Sequence, residues 1–265
     1  MDKNIRVSAV AGGFYPENKN TLNPMIEDFL EKCTKSSVTG ALRGLIVPHA
    51  GYIYSGIVAA AGYSLLSSMK KQPEKIILIG PSHYEYFSGL AESNAKGWKT
   101  PLGTVETGRI SALAKSIGAT TRDGAHAPEH CLEVQLPFLQ KIMKKNYTVF
   151  PVLTGELDYG EVARNLAPVL SEENTFLLIS SDLSHYLPYG DARRIDASSS
   201  EIIEGNALSS AENIVACGKT GIVIAMHVAK LLGWNCRKID YKNSGDTAGD
   251  KSRVVGYGCY AFEEK

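Results

Sequence analysis

Three apolar runs mark the chain, and each ends in a polar cluster that carries a histidine. Residues 43–48 hold Gly44-Leu45-Ile46-Val47, stop at Pro48 and deliver His49 to a turn flanked by Gly51. Residues 75–80 hold Lys75-Ile76-Ile77-Leu78-Ile79-Gly80, and Pro81-Ser82-His83 comes next. Thr175-Phe176-Leu177-Leu178-Ile179 runs into Ser180-Ser181-Asp182-Leu183-Ser184-His185. Short, continuously apolar runs bounded by turn signals read as strands buried on both faces. A proline removes a ladder donor, so the first two strands must end where they do.

Between these runs the apolar spacing changes to three or four. Leu22, Met25, Ile26, Phe29 and Leu30 share one helical face, and so do Leu132, Leu136, Leu139 and Met143, and then Val162, Leu166 and Leu170. Further helices are expected over 58–66, 110–117, 192–203, 211–216 and 222–232, the last stopped by Gly233. Additional strands are expected at 6–10, 147–153, 236–241 and 254–262. A hairpin is expected within 85–108, around Leu90-Ala91 and Val105-Glu106, and a long loop at 243–250. Strands that alternate with helices predict an α/β domain whose largely parallel sheet is covered on both faces. No break in composition divides residues 1–265, which are read as one domain. In such sheets ligands gather beyond the carboxyl ends of the strands, where His49, His83, Asp182 and His185 are expected.

Composition narrows the partners. The chain has 28 basic and 28 acidic side chains, a balance that argues against nucleic acid or an anionic membrane as the main partner. No apolar run approaches the ~20 residues of a membrane span. Met1-Asp2-Lys3-Asn4 leads into no signal-like apolar stretch, so a cytoplasmic location is expected. The five cysteines are widely spaced and contain no C-x-x-C pair, unlike a disulfide framework or a zinc ribbon.

The repeated strand–histidine layout predicts that the three strand ends meet and hold a metal. Asp182, three residues before His185, could ligate, act with it as an acid/base pair, or orient an imidazole, and it could equally cap a helix. His126, His130 and Glu133 could add acid/base capacity. Cys217 precedes Gly218 and a buried helix, whose amides would favour a thiolate, although a buried inert thiol is the ordinary alternative. The chain has no G-x-S-x-G elbow and no P-loop.

Taken in order, Val47-Pro48-His49-Ala50-Gly51-Tyr52, Gly80-Pro81-Ser82-His83, the segment Glu129 to Pro137, Ser181-Asp182-Leu183-Ser184-His185-Tyr186 and Cys217-Gly218 resemble the Memo family. Ala11-Gly12-Gly13-Phe14-Tyr15-Pro16 and Asn243-Ser244-Gly245-Asp246 with Val255-Gly256-Tyr257 fit the same pattern, over nearly the whole chain. The resemblance implies a three-layer α/β/α sandwich around a mixed, largely parallel sheet, similar to the class III extradiol dioxygenases. It implies a metal site of His49, His83 and Cys217, the cysteine standing where those enzymes use a carboxylate. Asp182 and His185 would line the pocket, and His130 and Glu133 belong to a family motif. Fe(II) is the expected cofactor, with Cu or Zn as alternatives, since a thiolate suits all three. Family context also links such proteins to radical-SAM and AMMECR-type partners.

Three functions are expected on these grounds. The first is a non-heme metal-dependent redox enzyme with His185, held by Asp182, as acid/base. The second is a non-catalytic module whose pocket takes a small-molecule, phosphorylated or peptide ligand, with charge from Arg43 and Lys219 and tyrosines 52, 54, 84, 86, 186 and 189 at its mouth. The third is a hydrolase, dependent on metal or on Cys217.

Overall fold

The computed structural model describes residues 4–144 and 146–264; the opening Met1-Asp2-Lys3 lies outside them. In chain order the strands are β1 (Ile5–Arg6), β2 (Ala41–Val47), β3 (Lys75–Pro81), β4 (Leu90–Glu92), β5 (Gly97–Thr100), β6 (Gly103–Glu106), β7 (Thr120–Thr121), β8 (Thr148–Thr154), β9 (Thr175–Ser180), β10 (His185–Leu187), β11 (Trp234–Asn243) and β12 (Val254–Glu264). A nine-stranded sheet has the order β10-β12-β2-β9-β3-β8-β4-β7, with β11 paired to the other edge of β12. Its centre, β2-β9-β3-β8, is parallel, whereas β12, β11, β10 and β4 add antiparallel pairings. β1, β5 and β6 form a separate small sheet.

The central strands are apolar on both sides through their middles because each buries both faces. Leu45, Val47, Ile76, Leu78, Phe176 and Leu178 belong to one core, packed by the helices Lys19–Lys32, Tyr52–Ser68 and Leu136–Ile142. Ile46, Ile77, Ile79, Leu177 and Ile179 alternate into the other, packed by Tyr159–Leu170 and Lys219–Leu232. The result is an α/β/α sandwich. No helix of the described residues is long and apolar enough to cross a membrane.

The register sets the height of the site. Val47 pairs with Ser180, Ile79 with Ile179, and Pro81 with Thr154. The first residues beyond these pairs therefore emerge side by side at one edge.

Some boundaries differ from expectation. The 110–117 segment divides into a helix at Ile110–Leu113 and a 3-10 turn at Lys115–Ile117. The expected loop at 243–250 contains a helical turn, Ser244–Thr247, closed by a reciprocal capping box. The Asn243 side chain accepts from the amides of Gly245 and Asp246, and the Asp246 carboxylate accepts from the amide of Asn243. Gly233 ends its helix in the left-handed conformation, as expected.

Candidate metal centre

Two glycines let the site assemble. A Cβ on Gly80 would stand 2.6 Å from Cys131 Sγ and 2.8 Å from Leu132 Cδ2. Its absence lets the segment after Glu129 lie directly on the end of β3. A Cβ on Gly218 would stand 2.7 Å from Ser181 Cβ, so only glycine allows the Cys217 turn to press against the end of β9.

Three histidines meet there. The ring centroids of His49 and His83 are 5.3 Å apart, those of His49 and His130 5.4 Å, and those of His83 and His130 4.6 Å. Among the described residues, one group whose ligand atoms all lie within 4.8 Å of one another is His49, His83 and His130. The other is His83, Glu129 and Cys131. In that second group the Cys131 thiol donates to Pro81 O and Glu129 already binds His83.

The proton inventory fixes how His49 is presented. Ser180 Oγ lies 2.6 Å from Cys131 O, and a carbonyl only accepts, so the hydroxyl proton goes there. The same oxygen accepts from Gln135 Nε2 at 2.9 Å, leaving one lone pair for His49 Nδ1, also at 2.9 Å. His49 Nδ1 therefore carries the proton, and its Nε2 is bare. Cys217 Sγ stands 3.2 Å from that Nε2 and donates to it. Similarly, His83 Nδ1 donates to Glu129 Oε1 at 2.9 Å, the carboxylate–histidine arrangement that orients metal ligands. His130 Nδ1 is buried and has no hydrogen-bond partner: Glu129 Oε1 is 3.2 Å away but poorly aligned.

Burial keeps the His49 and His130 imidazoles neutral. Burial, reinforced by His83, pushes His49 down to about 3, and burial with His49 nearby takes His130 to about 4. Burial alone would raise Glu129, but hydrogen bonds from the His83 side chain, the His83 amide and the Cys131 amide outweigh it and hold the carboxyl at about 2. The Cys217 thiol goes the other way. Burial and the neighbouring Asp182 push it up to about 12, so the amides near it do not by themselves make a thiolate, in line with the ordinary buried thiol that the sequence left open. A cation beside it would reverse this.

Asp182 and His185 are near one another but are not joined as expected. Asp182 Oδ1 accepts from the His49 amide at 2.7 Å, while His185 Nδ1 donates to Leu183 O at 2.8 Å. His185 is thus held by a carbonyl, and Asp182 serves the His49 turn. Burial raises the Asp182 carboxyl above its ordinary range, against the pull of the His49 amide.

Glu133 lies outside the cluster. Its carboxylate accepts from Arg6 Nη1 at 2.6 Å, the amides of Ala9 and Val10, and Tyr15 OH, so it ties the N-terminal segment to the domain. His126 is also elsewhere, buried against Trp98 with Nε2 on Ala91 O. Arg43 binds Leu170 O and Glu172 O and pairs with Glu264, away from the cavity, and Lys219 turns back to Glu212 O. The residues missed by sequence reasoning are Glu129, Ser180 and Gln135. Only Glu129 left a usable signal, a carboxylate next to a histidine in Glu129-His130.

Above the histidines opens a cavity of about 740 Å³, lined by His49, His83, His130, Asp182 and His185 and walled by Phe14 and several tyrosines. A second cavity, of about 580 Å³, reaches the cluster from the Tyr84–Phe87 side and is lined by His83 and Cys217.

Comparison with known proteins gives the kinship. The family model described as "Memo-like protein" matches residues 6–261. A MEMO1 family protein of Aquifex aeolicus is 37% identical over 96% of this chain and 97% of its own length. One from Nitrosopumilus maritimus is 32% identical over 97% and 99%, and one from Methanopyrus kandleri 34% over 97% and 98%. The strand-end histidines, the Glu129–Leu136 segment and the Cys217 turn all fall within this match, and the chain belongs to the Memo-like family.

Proposed function

We propose that this protein holds one transition-metal ion at His49, His83 and Cys217, with His130 as a further donor within reach, and performs redox chemistry on a small molecule in the larger cavity. The observation that carries the reading is one buried cluster in which His49 Nε2 accepts only from the Cys217 thiol and His130 Nδ1 has no hydrogen-bond partner at all. Buried polar atoms without partners are rare and call for a ligand. Two imidazoles and a thiolate suit iron, copper or zinc, with Fe(II) as the first expectation. Such an ion would supply Lewis acidity and, for iron or copper, electron exchange.

The chain's own groups divide the remaining work. Glu129 and Ser180 hold the rings of His83 and His49 in one tautomer. Cys217 gives up its proton only beside a positive charge, which favours a ligand over a free nucleophile and ranks hydrolysis by this thiol lower. His185, exposed in the cavity with its Nδ1–H held by Leu183 O, keeps Nε2 free to exchange a proton with a bound substrate.

The test is metal content after anaerobic purification of wild type, His49→Ala, Cys217→Ala and His130→Ala, each with its melting temperature. The expectation is close to one ion per wild-type chain, most of it lost in the first two variants, with the fold intact. A wild type as metal-poor as its folded variants ends this reading. Oxygen uptake across a panel of phenols then separates a redox enzyme from a binding module.

A further inference from the structure

The rim of the larger cavity holds a feature that the metal cluster does not need. Strand β10 pairs with β12 as His185 with Val255 and Leu187 with Val254, so Tyr186 is one residue too many. It forms a bulge, with φ of 58°. A bulky side chain in the left-handed region is a genuine outlier, and such strain clusters at functional positions. Bulges re-aim side chains beside active sites. Here the bulge leaves the Tyr186 ring 63% exposed and places it against Arg253, whose guanidinium carbon lies 5.3 Å from the ring centroid.

Arg253 is the only Lys or Arg that lines this cavity among the described residues, and it forms no ion pair there. The aromatic wall comes from Phe14, Tyr54, Tyr186 and Tyr257. The two acids of the lining are engaged: Asp182 Oδ1 with the His49 amide, and Asp250 Oδ1 with the amide and hydroxyl of Ser252. A planar guanidinium stacked on an aromatic ring keeps its edge donors available for a carboxylate or phosphate.

We infer that the cavity takes a small aromatic anion, with Arg253, braced on the strained Tyr186, as its counter-ion and specificity determinant. This rests on the proposed function only in naming the substrate class of the same cavity.

Titration calorimetry with benzoate, benzyl alcohol and benzylamine on the purified full chain tests it, with metal content measured on the same samples. Benzoate is expected to bind about tenfold more tightly than benzyl alcohol, the scale of one charge-assisted contact. Arg253→Gln should abolish that preference without weakening benzyl alcohol, and Arg253→Lys should restore only part of it. Asp250→Asn should leave benzoate binding equal or tighter. Tyr186→Gly should melt higher, through relief of the backbone, yet discriminate less. The inference is overturned by equal binding of benzoate and benzyl alcohol, by a preference for benzylamine, by no binding of any probe, or by a preference that survives Arg253→Gln. Metal without anion preference would sink this inference alone, and anion preference without metal would sink the metal reading alone.

Discussion

Glu129 and Glu133 are the same residue type, four positions apart, and both are fully buried, yet they serve opposite needs of the molecule. Glu133 is a hub of architecture: its partners are Arg6, Tyr15 and two amides of one N-terminal segment. Glu129 is a hub of the site: its partners are the imidazole and amide of His83 and the amides of His130 and Cys131. The difference teaches that a buried carboxylate is defined by which donors surround it. A guanidinium and fixed amides give a rigid ion pair with no coordination left over. A histidine donor passes the carboxylate's influence on, because fixing Nδ1–H leaves Nε2 as a lone pair.

Breaking each carboxylate should separate stability from metal affinity. The largest effect is expected for Glu133→Ala. It leaves Arg6 buried without its counter-charge, which should cost about 3–5 kcal/mol in a denaturant melt. Metal per folded chain should stay at the wild-type level. A milder loss that came with metal depletion would mean that Glu133 belongs to the site after all.

Glu129→Gln keeps the shape and removes the charge. Metal affinity, measured by competition with a chelator, should fall about 10–100-fold, as for other outer partners of ligating histidines. The melt should change less than in Glu133→Ala. Unchanged affinity would remove Glu129 from the site.

The smallest effect sharpens the contrast through pH. His49, His126 and His130 are pushed down to about 3, about 4 and about 4 by burial, whereas an unfolded histidine titrates near ~6.5. Between these values the unfolded chain binds more protons. The stability that these groups contribute is therefore complete above about pH 6.5 and declines as pH falls toward about 4. Asp182, shifted upward, acts in the opposite sense and blunts the decline without reversing it. Urea midpoints of the metal-free chain should drop from about pH 7.5 to about pH 5. His130→Ala should flatten that slope, and Glu133→Ala should lower the whole curve and keep its shape. A slope unchanged in His130→Ala would contradict the buried neutral imidazole.

The functional side of this comparison was half legible in the chain. His49 and His83 could be placed because an apolar strand, a proline and a histidine in succession mark both the end of the strand and the side chain delivered beyond it. His130 looked like one polar position on a helix face, with Glu133 as its neighbour. In the structure that stretch is a loop and a 3-10 turn, Glu133–Gln135. The angles of a regular helix do not apply there, and the two side chains part toward different partners. Arg43 and Lys219, close to the signature motifs in sequence, point elsewhere, whereas Arg253 reaches the rim through strand pairing that no local pattern records.

By itself the sequence determined the layering. Strands apolar on both faces must be covered twice, and Pro48 and Pro81 mark the ends of two of them, so histidines at their carboxyl ends had to emerge at one edge of a parallel sheet. Tertiary structure alone decided which of those groups meet, which proton each carries, and which carboxylate serves metal or framework. Those outcomes depend on register, on the close approach that Gly80 and Gly218 allow, and on hydrogen-bond partners as far as 168 positions apart, as between His49 and Cys217.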